Sequence, residues 1–279
     1  MSKQIKSTFD RDGYFLAKQV FSADEIKQFR KRVYEQHELD KAAGLTFTIP
    51  NSRSKAKYAV GDLMSKEKLR DILLDERVLN FARTILGNDH LIYFGDSSYQ
   101  IGTGTRGFHR DSIDRENLDG PDWKSNYTLI RVGIYMQNHK DYSGGLKVKT
   151  GTHKVANGPT AFVENEPGDL AAWSLMLLHS GNAVKLKMFP QLAIDNQSIE
   201  NRIPAFMRME EEQERISLFM TFASPSAHVD RYITEYEMKR EDAKKHIQAS
   251  KYSQEVLQLA KSKGLDVQVL FPEMQLQSL

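Results

Sequence analysis

His109 and Asp111 stand two residues apart in Phe108-His109-Arg110-Asp111. Side chains of an extended segment alternate faces with period two, so this spacing sets an imidazole and a carboxylate side by side. One more donor would complete a three-ligand face for a metal. His179 is the candidate. The turn Pro167-Gly168-Asp169 leads into an apolar run that ends in this histidine and continues as Ser180-Gly181-Asn182. Two histidines and one carboxylate are the ligand set of non-haem Fe(II) oxygenases, which leave the other coordination positions open for substrate and O₂. Taken singly, an H-x-D is most often a surface hydrogen bond, and a histidine among leucines most often a core residue. Their order along the chain is what joins them.

Such a trio needs a rigid frame, and the residues around it read as one. Segments 90–94, 97–101, 128–137, 146–148, 169–174 and 215–223 are short, rich in Ile, Val, Tyr, Phe and Thr, and broken by Gly, Pro or Asp. Many short strands with turn signals predict a jelly roll, the cupin-like double-stranded β-helix. The fold class expected is therefore mainly β with flanking helices. Asp12-Gly13 reads as a turn before a short strand at Tyr14-Phe15-Leu16. Ser22 with Glu25 makes a capping box that opens a helix to about residue 42, with Ile26, Phe29 and Val33 at helical spacing. A second helix is expected over 69–86, closed by Gly87, and helical patterning with charged faces returns over 232–263. Residues 46–58 read as a surface loop. The expected organisation is one domain over 1–279, with a β-core at about 90–223 and a lid insertion at about 184–214.

The glycine-broken stretch 102–107 just before His109 suits a barrel mouth, where backbone must bend and a ligand approaches. Tyr99 and Gln100 precede it, and Tyr135 and Trp173 lie on predicted core strands; all four are candidate pocket residues. His153 stands in a Gly-Thr-His-Lys turn and reads as structural, whereas His37, His90, His139, His228 and His246 read as surface residues.

Composition sets the outer bounds. With 279 residues the chain can bury a sizeable core, and 40% hydrophobic with 27% charged residues is ordinary for a globular protein. A formal net charge of +2 argues against nucleic acid or a membrane surface as partner. No apolar run approaches the roughly 18 residues of a membrane span, and the first residues lack the apolar core of a secretory signal. The chain has no cysteine, which excludes disulfides and thiol nucleophiles and makes a reducing cytosol the default.

In order and spacing the motifs resemble those of the phytanoyl-CoA dioxygenase family of Fe(II)- and 2-oxoglutarate-dependent oxygenases. Asp12-Gly13-Tyr14-Phe15 resembles the family's opening, and Phe108-His109-Arg110-Asp111 its H-x-D motif. The stretch 143–154, Ser-Gly-Gly-Leu-Lys-Val-Lys-Thr-Gly-Thr-His-Lys, is similar to its G-L-x-V-x-P-G-S-H-K segment, and 167–179 to the segment with its second histidine. The resemblance implies His109, Asp111 and His179 as iron ligands, with 2-oxoglutarate and O₂ as co-substrates. It implies that Arg215 binds the distal carboxylate of 2-oxoglutarate. Arg215 and Ser217 share a strand face, and a guanidinium grips a carboxylate through two parallel hydrogen bonds. The interval from His179 to Arg215 is longer than the family's usual one, so Arg131 and Arg208 remain rival anchors. The activity implied is hydroxylation of an unactivated C–H bond of a small organic substrate, with succinate and CO₂ formed. Relatives that chlorinate have a small residue where this chain has Asp111. The lysines and arginines of the insertion and of residues 53–57 suggest a polar or anionic substrate. Two other classes stay open: a non-catalytic metal-binding jelly roll that senses a ligand, and a cupin-type isomerase or epimerase.

Overall fold

A computed structural model describes residues 2–48, 56–104 and 107–276. In chain order the strands are β1 (Tyr14–Ala17), β2 (Thr46–Phe47), β3 (Tyr58–Ala59), β4 (Leu91–Tyr93), β5 (Ser97–Ile101), β6 (Leu129–Tyr135), β7 (Gly145–Lys149), β8 (Thr160–Val163), β9 (Leu170–Ser174), β10 (His179–Ala183), β11 (Ile216–Ala223) and β12 (Leu265–Val267). The large sheet runs β1-β9-β6-β11-β4-β12, with β5 also paired to β11, and a smaller sheet runs β10-β7-β8. The two sheets form the jelly roll expected, with the helices outside it.

Alternation along the large sheet sorts its side chains into two faces. Ile130, Val132 and Ile134 of β6, Leu218, Met220 and Phe222 of β11, and Leu170 and Ala172 of β9 lie in one buried apolar cluster. That cluster also holds Phe29 and Val33 of α2 (Ala23–Ala42) and Val78, Leu79 and Ile85 of a later helix (Glu76–Leu86). Each of the larger side chains contributes about 1.5–3 kcal/mol through burial. The intervening residues, Arg131 and Tyr135, Phe219 and Trp173, come out on the opposite face and line a cavity. Leu146 of the smaller sheet lines it too. Gly133 belongs to this face, and a Cβ there would sit 2.9 Å from the Trp173 ring. Its missing side chain is the space in which the indole lies.

The helices depart from expectation at several points. An N-terminal helix, α1 (Ser2–Asp12), precedes the Gly13 turn and buries Phe9. The Ser22 capping box is present: the Ser22 amide donates to Glu25 Oε2 at 2.8 Å and the Glu25 amide to Ser22 Oγ at 3.2 Å. Ser22→Ala should cost about 1 kcal/mol, read as a lower urea midpoint at unchanged slope. The helix expected over 69–86 is split into α3 (Arg70–Leu73) and α4 (Glu76–Leu86), because Asp75 adopts an extended backbone and caps the Arg77 amide at 2.8 Å. Gly87, at φ 65°, closes α4.

After a short helix α5 (Gln197–Arg202) in the insertion and α6 (Ala227–Arg231) beyond β11, the stretch 232–263 is not one helix. It begins as a π-helical turn, Tyr232–Glu237, and continues as α7 (Glu241–Gln248) and α8 (Gln254–Ser262) before β12 joins β4 in parallel. The surface loop expected at 46–58 carries the β2–β3 pair at its two ends. Arg53, Ser54 and Lys55 lie outside the described residues, as do Thr105 and Arg106 of the glycine stretch. The insertion is tied down from inside: Lys147 Nζ meets Glu200 Oε2 at 2.8 Å with both side chains buried, and Glu200 Oε1 accepts from the Val184 amide. It flanks the glycine stretch, where Thr103 Oγ1 donates to Glu211 at 3.2 Å. The cavity wall takes none of its residues from 184–214 among those described. No helix among the described residues is long and apolar enough to cross a membrane.

Candidate active site

His109 and His179 are joined through their backbones. Each amide donates to the other's carbonyl at 3.0 Å, an antiparallel bridge that holds the two imidazoles with centroids 4.3 Å apart. Two residues on, the Asp111 and Ser112 amides both donate to the Leu175 carbonyl, so 109–112 runs along the turn between β9 and β10. Arg110, between the two donors, is buried and donates to the carbonyls of Met176, Arg115, Thr152 and Ala156. Segment 109–112, the 175–179 turn, residue 115 and the stretch 152–156 are thus pinned around the pair.

The donor atoms converge. His109 Nε2 lies 3.6 Å from Asp111 Oδ1 and His179 Nε2 lies 3.6 Å from Asp111 Oδ2, all three ligand atoms falling within 4.8 Å of one another. Each far ring nitrogen is committed to backbone: His109 Nδ1 donates to Gly107 O at 2.9 Å, and His179 Nδ1 to Leu177 O at 3.0 Å. Those bonds select the tautomer whose Nε2 lone pair points at the centre of the trio, the outer-layer arrangement common to metal histidines. Burial pushes the His179 imidazole down to about 4 against the pull of Asp111. Burial alone would raise Asp111, but His179, Arg131 and His109 outweigh it and hold the carboxyl at about 2. Near neutral pH Asp111 is thus an anion beside the neutral nitrogen donor of His179, which fits a divalent ion.

Arg131 stands behind Asp111. Its two terminal nitrogens go to Asp96 Oδ1 at 3.0 Å and Asp111 Oδ2 at 3.4 Å, and Thr221 Oγ1 donates to Asp96 Oδ2 at 2.7 Å. Arg208, the other rival anchor, sits in the insertion and donates to the Ile203 and Asn201 carbonyls.

Arg215 is differently placed. Its guanidinium is buried, donates through Nη1 to Gln100 Oε1 at 2.8 Å, and leaves Nε without a partner. No carboxylate lies within salt-bridge reach of it among the described residues. It rests over the rings of Tyr135 at 5.4 Å and Phe219 at 5.9 Å; Phe219 meets Trp173 edge-on, and Trp173 lies 5.6 Å from His179. The cavity that contains all of this has a volume of 470 Å³. Ser217 falls between Arg215 and Phe219 on the same strand face, its hydroxyl buried without a hydrogen bond.

Of the expected pocket residues, Gln100, Tyr135 and Trp173 line the cavity and Tyr99 does not. Neighbours on a strand cannot share a face. Tyr99 points into the helix-facing core, where its hydroxyl donates to Asp40 Oδ2 at 2.8 Å. Residues the sequence did not single out include Asp96, Asn182 and Tyr58, and beyond them Arg115, Tyr232, Tyr236, Glu237 and Arg240.

Two histidines read as surface residues, His139 and His228, are buried, and His246 is largely so, with its Nε2 on the Ser97 carbonyl at 2.9 Å. His139 donates through Nδ1 to Asn165 Oδ1 at 3.0 Å and accepts at Nε2 from the Gln137 amide at 3.2 Å. Burial, with Arg215 adding to it, pushes this imidazole down to about 3. An unfolded histidine titrates near 6.5, so between those values the unfolded chain binds a proton that the native one refuses. Stability is therefore full above about pH 6.5 and falls as the pH drops. His139→Gln should flatten urea-derived stability between pH 6 and 4.5 by up to about 1.4 kcal/mol per pH unit. An unchanged slope would remove His139 from the acid response.

Comparison with known proteins adds a sequence relationship to this geometry. The profile of the phytanoyl-CoA dioxygenase family matches residues 9–185. The chain belongs to the phytanoyl-CoA dioxygenase family. Among relatives in this family, the ectoine dioxygenase of Streptomyces coelicolor is 30% identical over 151 residues, 53% of this chain and 50% of that protein. The ectoine dioxygenase of Stutzerimonas stutzeri is 26% identical over 155 residues, 55% of this chain and 51% of that one. The chain thus spans about half the length of the curated relatives it matches. EctD from S. alaskensis, solved with 2-oxoglutarate and 5-hydroxyectoine, shares the fold with TM-score 0.54 at 17% identity, over 80% of this chain and 76% of that one. Of the phytanoyl-CoA dioxygenase motifs, H-x-D and the second histidine fall inside the matched span; Arg215 and the π-helical turn fall outside it.

Proposed function

We propose that this protein is an Fe(II)- and 2-oxoglutarate-dependent oxygenase that hydroxylates an unactivated C–H bond of a small polar molecule. Arg215 carries the reading. A buried cation with an unpartnered Nε, facing a cavity, wants an anion the chain does not supply. The distal carboxylate of 2-oxoglutarate answers that need, with Gln100 orienting the guanidinium and Ser217 offering its free hydroxyl. His109, Asp111 and His179 would hold the iron. Fe(II), 2-oxoglutarate and O₂ together supply the oxidising power, with succinate and CO₂ as by-products.

The chain supplies geometry and exclusion. Arg131 keeps Asp111 ionised and aimed, the two backbone carbonyls fix the histidine tautomers, and Trp173, Phe219 and Tyr135 screen the inner side of the centre, His109 staying open to solvent. Arg131 serves poorly as the anchor because both its terminal nitrogens already face carboxylates. Neither a ligand sensor nor a cupin-type isomerase requires a 2-oxoglutarate anchor such as Arg215. The relatives named for ectoine support a substrate of small size. The test is succinate release from 2-oxoglutarate by purified protein given Fe(II) and ascorbate, first alone and then across a panel of small polar compounds. Tight metal binding with no succinate under any of these conditions would sink the reading.

A further inference from the structure

The cavity has a second end that the iron and 2-oxoglutarate leave free. Along β6, Tyr135 lies at the Arg215 end and Arg131 at the other, roughly 13 Å away at strand rise. Trp173 pairs with Arg131 across the sheet and sits against His179, so the trio falls between the two ends. Beyond Arg131 and Asp96 much of the wall comes from the π-helical turn Tyr232–Glu237, with Arg240 just after it and Arg115 facing it. Its i→i+5 winding, marked by the Met238 amide on the Ile233 carbonyl, brings Tyr232, Tyr236 and Glu237 to one face. Single π turns recur at functional sites for this reason.

Glu237 is the unusual member. Its carboxyl is buried, lines the cavity and has no ion-pair partner among the described residues. Asp96, the nearest acid in the wall, is already held by Arg131 and Thr221. At the rim, Arg115 and Arg240 flank the Tyr236 ring at 5.6 and 4.5 Å, and Arg115 donates to its hydroxyl at 2.7 Å. Arg240 is already paired with Asp242, with its Nε on Asp242 Oδ1 at 3.1 Å, whereas Arg115 has no carboxylate partner among the described residues.

We propose that this turn recognises the substrate: Glu237 takes a protonated nitrogen, and Arg115, seated on the Tyr236 ring, takes an anionic group at the rim. The substrate class is then a small molecule carrying both charges. The assignment rests on the oxygenase reading, which leaves this end of the cavity to the molecule being oxidised. Burial and nearby Asp96 push the Glu237 carboxyl up to about 8, so the free site keeps it largely protonated. An arriving cation draws that proton off to solvent and gains a counter-charge, whereas an anion or a neutral polyol can only hydrogen-bond to the protonated carboxyl. The turn lies outside residues 9–185 and Arg115 inside them, so selectivity would draw on both stretches.

The test is a thermal-shift and calorimetric binding screen on Ni(II)-loaded protein with 2-oxoglutarate present. The probes are size-matched amines, carboxylates, amino acids, phosphates and polyols. Compounds bearing both a protonated nitrogen and an anionic group should bind best, and Glu237→Gln should weaken them at least tenfold while leaving carboxylates unchanged. Arg115→Gln should weaken only the probes with an anionic group. 2-Oxoglutarate affinity, measured alone on the same loaded variants, reports the Arg215 end separately, so its loss would count against the oxygenase reading. A wild-type preference for anions or polyols, no binding by any probe class, or equal binding by wild type and Glu237→Gln would each overturn the assignment.

Discussion

Asp111→Ala should lower metal affinity at least about a hundredfold and abolish turnover. Asp111 is the sole anion of the trio, so its loss removes the charge that offsets a divalent ion as well as one corner of the geometry. The metal-free fold should survive. The Asp111 and Ser112 backbone contacts to Leu175 do not involve the carboxylate, and Arg131 keeps Asp96 as partner. Calorimetry with Ni(II) or Co(II) reads the affinity; thermal denaturation without metal reads the fold. Asp111→Asn separates shape from charge, because the amide fills the space but leaves the ion uncompensated. Wild-type affinity in either variant would mean that the carboxylate is not a ligand.

Arg215 should show the opposite pattern from an ordinary buried residue. Arg215→Lys should raise the 2-oxoglutarate requirement about tenfold, and Arg215→Met more than about a hundredfold, through loss of paired charged hydrogen bonds. Metal-free stability should hold or rise in the Met variant. The guanidinium is buried without a counter-charge, and burial already pushes its pKa below the ordinary value. Arg131→Met is the contrast. It strips the partner from Asp96 and Asp111 together, so it should destabilise the apo fold while acting on 2-oxoglutarate only through the metal. A 2-oxoglutarate requirement that moved with Arg131 and not with Arg215 would reassign the anchor.

The parts of this site that could be read in the sequence are those where side-chain period decides placement. Two residues of separation put His109 beside Asp111, and the Ile, Val and Phe content of β6 and β11 marked the strands that carry Arg131 and Arg215. β10 was invisible because His-Ser-Gly-Asn-Ala has no strand preference of its own; its partner β7 and the backbone bridge to His109 make it a strand. Tyr99 shows that alternation outweighs aromatic character: its neighbour Gln100 takes the cavity face, so Tyr99 turns to the core. The π turn had no composition signal at all. Its charged residues read as a solvated surface, and only packing against Asp96 and Arg131 shows that Glu237 faces inward.

The backbone bridge between His109 and His179 also dates the metal site within folding. It closes a loop running from residue 109 to residue 179, and β1 pairs with β9 across most of the chain, from Tyr14 to Trp173. Contacts so distant in sequence form late and make the barrier to folding high. A nascent or denatured chain therefore offers an ion no assembled trio, and metal cannot hasten the search for the fold. Once bound, it fastens strands that must separate early for the chain to come apart. Metal should act on the rate of escape and leave the rate of arrival alone, so that a loaded molecule persists far longer than its equilibrium refolding speed would suggest.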